Sequence, residues 1–201
     1  GGGGGSSGGS LGVGSGGEVS EGVWTVRGES ISAQPEGIVK LTLPEGAETF
    51  RLAGRLLEEH ASRTFEFGSA GMALTVPDGL VKELIERAQA AGLKDWSLSL
   101  RMVRAEEDEA SSAVRRFESS AGAKLKLAGG LYELSLSLEG EGGESPLPIR
   151  EFDPPIRLTF DIGPGVSRSL LGVYYLGEDG SLRYEGGRAE SESRISAGGR
   201  H

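Results

Sequence analysis

The chain has 201 residues, no cysteine, a net charge of −9 and an isoelectric point near 4.9. Disulfides, thiolate nucleophiles and cysteine metal centres are therefore excluded. An acidic chain also lacks the positive field that carries most nucleic-acid affinity, and no run of about 18 apolar residues is available for a membrane-spanning helix.

Asparagine is absent, glutamine occurs only at Gln34 and Gln89, and 16 of the 21 basic residues are arginine. This usage follows from a GC-rich genome and also fits heat adaptation. Residues 1–22 read as a flexible linker, since glycine and serine bury too little to offset their ordering entropy. Gly12 to Gly17 superficially matches a nucleotide loop, but the strand before it and the helix after it are lacking. One domain is expected over 23–188, with a polar tail over 189–201.

Val23 to Val26 reads as a short strand, with Ile31 extending the same edge. The next stretch states one pattern twice, offset by 33 residues. Leu41, Thr42, Pro44 and Gly46 fall on Leu74, Thr75, Pro77 and Gly79, and Phe65 and Phe67 fall on Leu98 and Leu100. Each unit reads as strand, helix, strand. Val39, Leu41 and Leu43 alternate with polar neighbours, and Pro44 stops the ladder. A helical run is predicted from Gly46 to His60, with Gly54 costing it ~1 kcal/mol relative to alanine. In the second unit Leu80, Leu84, Ile85 and Ala88 form a helical stripe, Asp78 is a candidate N-cap and Gly92 a stop. Gly68 to Gly71 is short enough for a hairpin turn between the units.

The fold class expected is α+β: a β-rich domain with an internal βα-β / βα-β repeat. The alternative is a ferredoxin-like βαββαβ half followed by an antiparallel β half. Ala105 to Ser120 reads as a short charged helix, with Glu106 to Glu109 at its start, where negative charge suits the helix dipole. Alternating strands follow over Tyr132–Leu138 and Ile156–Ile162. Asp179-Gly180 between Leu171–Leu176 and Leu182–Glu185 signals a hairpin.

Taken in order, these pieces resemble the extracellular domain of Gram-positive bacterial surface proteins that commonly accompanies S-layer homology modules. The resemblance rests on "LTLPEGA" and "LTVPDGL", on "WSLSLRMVRAEEDEA", on "GGLYELSLSLEG" followed by "FDPPIRLTFDI", and on "LGVYYLGEDGSLRYEGGR". It spans Ser30 to Arg188 and implies a non-enzymatic structural or spacer module of an exported, cell-wall or S-layer-associated protein. It also implies an extracellular location and neighbouring surface-protein domains or cell-wall glycan as partners. Members of that family continue past the Tyr-Tyr hairpin with further strands. The polar residues after Gly187 therefore imply lost final strands, an open sheet edge and a sticky, marginal domain.

Catalytic groups are few. His60 lies at a helix end and His201 at the terminus, and neither accompanies a nucleophile elbow. No zinc ligand set and no Walker loop is present, so no metal and no cofactor are expected. The many Asp and Glu residues keep a carboxylate-pair hydrolase in view as a third reading. Trp96 falls on the inward phase of its strand. The candidate ligand contacts are aromatic: Trp24, Tyr174, Tyr175 and Tyr184. Tyr174 and Tyr175 are strand neighbours, so at least one faces outward. They support the second reading, a glycan- or protein-binding module.

Overall fold

The computed structural model describes residues 17–122, 124, 126–167, 169, 171–177, 179, 181–191 and 194–199. Most of the proposed linker, Gly180 of the hairpin signal and His201 lie outside the described residues. The elements run β1 (Gly17–Ser20), β2 (Val23–Val26), α1 (Gly28–Ser32), β3 (Ile38–Thr42), β4 (Thr49–Ala53), α2 (Gly54–Glu59), β5 (Thr64–Ser69), β6 (Met72–Val76), α3 (Asp78–Ala90) and β7 (Ser97–Arg104). They continue with α4 (Glu107–Ala121), β8 (Tyr132–Glu139), β9 (Leu147–Pro148), β10 (Ile156–Asp161), β11 (Val173–Leu176), β12 (Leu182–Gly186), β13 (Arg188–Ser191) and β14 (Arg194–Gly199). The class is α+β and β-rich.

The strands form two six-stranded sheets, β1-β2-β4-β7-β8-β9 and β13-β14-β10-β6-β5-β3, and a separate β11-β12 pair. Alternation decides which side chains face inward. Phe50 and Leu52 on β4, Leu98, Leu100 and Met102 on β7, and Leu136 and Leu138 on β8 come from the first sheet. Val39 and Leu41, Phe65 and Phe67, and Met72, Leu74 and Val76 come from the second, and all join one buried cluster. Phe50 meets Phe67 edge-on across the sheets, with ring centroids 5.0 Å apart. Trp24 (5.6 Å from Phe50) and Phe65 (6.0 Å from Phe67) extend this row to either side.

The chain threads the two sheets alternately. β2 and β4 are parallel neighbours in the first sheet, and β3, between them in sequence, lies in the second. β3 and β5 are parallel neighbours in the second, and β4, between them in sequence, lies in the first. The two crossovers interleave, so the connection within each parallel pair carries a strand of the other sheet. α2 runs from the end of β4 to the start of β5, and α3 from the end of β6 to the start of β7. Ala53 pairs with Ser97 and Phe65 with Val76. Both helices therefore bridge the same end of the two sheets, in opposite directions, and they pack on each other.

Several sequence readings change. The helical run expected from Gly46 to His60 is a strand followed by a two-turn helix, because Phe50 and Leu52 alternate with Arg51 and both face the core. The 33-residue repeat thus holds for outer strands and turns but not for its middle. Its outer strands share a sheet in the first unit (β3 and β5) and are split between sheets in the second (β6 and β7). That split also rules out a ferredoxin-like half in one sheet. Ile31 sits in α1, fully buried, rather than on a strand edge. Asp78 is the first helical residue, with Pro77 at the N-cap, and its carboxylate pairs with Lys82 at 3.2 Å.

The polar ends are more structured than their composition implies. Gly17 to Ser20 pairs with β2, although it fell within the proposed linker. Residues 189–191 and 194–199, read as tail, belong to β13 and β14, and β14 pairs with β10 along its length. Its inward side chains are only Ile195 and Ala197, set beside Phe160 and Leu158, so little apolar signal marks it. Glu190 of β13 accepts from Ser196 and pairs with Arg157 at 2.7 Å. The Ser196 hydrogen bond, more than the nearby arginines, holds its carboxyl below the ordinary range.

Candidate functional site

The four tyrosines divide three to one. Tyr132 on β8 lies against Phe160, 5.6 Å between centroids, and its hydroxyl donates to the carbonyls of Gly129 and Ala70. Burial raises its phenol pKa, partly offset by Arg104. Tyr174, Tyr175 and Tyr184 all stand on the β11-β12 hairpin, 48%, 48% and 60% exposed.

Register sorts these three rings onto two faces. Tyr174 lies opposite Tyr184, and Tyr175 opposite Arg183. On one face the Tyr174 and Tyr184 rings touch at 5.3 Å between centroids, tilted by 55°. Gly172 lies beneath this pair. A Cβ there would come within 2.6 Å of Tyr184 and 2.9 Å of Tyr174, so glycine is what lets both rings settle. On the other face the Arg183 guanidinium stacks over Tyr175 at 5.0 Å and pairs with Glu185 at 2.5 Å. The hairpin belongs to neither large sheet, and among the described residues its neighbour is β14. That isolation explains why both adjacent tyrosines are exposed, where strand alternation alone required only one.

The turn is closed by an aspartate. Asp179 Oδ1 accepts from the Ser181 N–H at 2.9 Å and from the Ser181 hydroxyl at 2.6 Å, and Gly177 N–H donates to the Ser181 carbonyl at 2.9 Å. These hydrogen bonds, the side-chain one foremost, lower the carboxyl pKa. With a folded value below the unfolded one, the stabilisation is present above the unfolded pKa, ~3.9, and is lost as pH falls through the folded value. Carboxyl-detected NMR is expected to place Asp179 below the ordinary aspartate value. Acidification through that midpoint is expected to loosen the Tyr174–Tyr184 contact while the buried tryptophans stay fixed. An ordinary midpoint, or rings that do not respond, would contradict this account of the turn.

Trp24 is not part of this surface. It is 2% exposed, packed against Phe50, and its indole Nε1 lies buried beneath Gly17. It has no ring face to offer a ligand, which corrects its place among the candidate contacts. Hydrophobic alternation with Val26 on β2 was the signal for a core position.

Two recesses stand out elsewhere among the described residues. One, about 390 Å3, lies at the end bridged by α2 and α3 and is lined by residues that include Arg55, Glu58, Gln89, Asp95, Trp96 and Glu141. Its polar groups suit a small polar ligand, but Trp96 is almost wholly buried against Gly54 and presents little stacking surface. The other, about 540 Å3, is an open trough on one side of α4, lined by Ser112, Arg115, Arg116 and Ser119. One helix face does not enclose a ligand. Among the described residues, no three His, Cys, Asp or Glu side chains converge as a metal set. No described helix is long and apolar enough to cross a membrane.

No protein-family model, curated protein or solved structure matches the chain.

Proposed function

We propose that the chain is a non-enzymatic structural or spacer module of an exported bacterial surface protein, and that it touches cell-wall glycan through the tyrosine hairpin. The observation that carries the contact is the concentration of exposed aromatic surface: three of the six large hydrophobic side chains that stand exposed among the described residues are Tyr174, Tyr175 and Tyr184. Tyrosine offers an apolar face and a polar rim with little conformational entropy to lose, which suits the C–H faces and hydroxyl edges of sugar rings. The interleaved crossovers support the spacer role, because the connection within each parallel pair carries a strand of the other sheet and ties the two sheets together.

Co-sedimentation with purified Gram-positive wall sacculi tests this reading. The unaltered chain is expected to sediment with the wall, and Tyr174→Ala with Tyr184→Ala to lose about thirtyfold in affinity, equivalent to two contacts of ~1 kcal/mol each. Equal binding by the double variant would overturn the assignment. Release of reducing ends in the same mixture would overturn the non-enzymatic reading and direct attention to Glu58, Asp95 and Glu141.

A further inference from the structure

Strand β3 ends its sheet: β5 lies on one side and, among the described residues, no strand lies on the other. Leu43 N–H, one residue past the end of β3, donates to the Gly68 carbonyl of β5 at 2.9 Å. Backbone groups alternate along a strand, so those of Val39 and Leu41 also face β5, and those of Ile38, Lys40 and Thr42 face outward. An uncovered row of this kind is a template for another strand. Ile38 adds an exposed apolar side chain, 49% accessible.

The centre of the row is occupied by a side chain. Gln34 Oε1 accepts from the Lys40 N–H at 2.7 Å, and Gln34 Nε2 donates to the Lys40 carbonyl at 2.7 Å. One side-chain amide therefore makes the two bonds that a paired strand residue would make. The amide is held in place. Its Nε2 also donates to the Ser30 carbonyl at 2.8 Å, and the backbone N–H of Gln34 donates to Ile31 at 3.1 Å. Arg63 clamps the same segment, donating to the carbonyls of Ile31 and Pro35.

We propose that Gln34 is an edge guard: its amide stands in for a neighbouring strand and stops β3 from pairing with β3 of a second copy of this chain. A second copy fits the unguarded edge in charge. Antiparallel pairing centred on Ile38 sets Ile38 against Ile38 of the other copy and brings Lys40 toward its Glu36, which precedes β3 across the left-handed Gly37, so opposite charges meet at the strand's start.

The test is oligomeric state as a function of concentration, by sedimentation equilibrium on the full chain. Gln34→Ala is expected to raise the weight-average mass toward twice that of the unaltered chain as concentration increases. Adding Ile38→Lys, which places a charge on the edge, is expected to return it to monomer. A folded Gln34→Ala that stays monomeric at every concentration would overturn the proposal, as would association that Ile38→Lys leaves unchanged. Should Gln34→Ala not fold, hydrogen exchange on the unaltered chain decides. The Lys40 amide is expected to exchange at least about tenfold more slowly than the outward amides of Ile38 and Thr42, and equal rates would overturn the guard.

Discussion

Phe50→Ala is expected to destabilise the fold by about 3–5 kcal/mol, the range for deleting a fully buried phenylalanine. Phe50 is wholly buried and lies between Trp24 on its own sheet and Phe67 on the other. Its loss removes transfer energy and leaves a cavity at the seam between sheets. Because the crossovers interleave, the damage cannot stay within one sheet. Urea unfolding followed by tryptophan fluorescence and by far-ultraviolet circular dichroism is expected to shift together to lower denaturant. A double cycle with Phe67→Ala is expected to show a coupling of about 0.5–1.5 kcal/mol from the edge-to-face contact. Separate transitions by the two probes would contradict the interlocked core.

Gly54→Ala is expected to destabilise by about 3 kcal/mol, against the sign that helix propensity gives. In an exposed helix interior, alanine would gain ~1 kcal/mol over glycine. Here a Cβ would lie 2.3–2.6 Å from three atoms of the Trp96 indole. The neighbours cannot easily yield, because Gly54 N–H donates to the Trp96 carbonyl at 2.7 Å and ties the two backbones together. Thermal unfolding of the variant checks this directly, and a stabilised Gly54→Ala would show that the α2 contact with Trp96 is not close.

The two glycines that matter most, Gly54 and Gly172, illustrate what a sequence conceals. Gly54 looks like a defect in a helix, and its value appears only when Trp96, distant in sequence, is seen against it. The same segment explains the missed strand. Phe50, Ala53 and Leu57 fit one helical face, yet the period that prevails, Phe50 and Leu52 about Arg51, is that of a strand. Where alternation was long, as in Tyr132–Leu138, periodicity alone located the strand. β14 carries one isoleucine and one alanine inward, too little apolar content to rise above its polar surroundings.

The aromatic surface was legible in part. The Asp179-Gly180 signal placed the hairpin, and strand alternation placed Tyr174 and Tyr175 on opposite faces. Their joint exposure depended on a tertiary fact, that β11 and β12 form a sheet of their own. Trp24 shows the converse: its alternation with Val26 marked a core position, and the seal that Gly17 places over its indole is a tertiary contact no local pattern shows.

The central claim, that contact with the wall is made by the hairpin, is tested most directly by ring-resolved NMR during titration with solubilised wall glycan to about 1 mM, a ceiling set by weak-binding affinities. The account predicts that the Tyr174 and Tyr184 ring signals move together and saturate while the Trp24 and Trp96 indole signals stay still. Unmoved tyrosines with a shifting Trp96 indole would contradict it, placing the ligand in the recess beside α2 and α3.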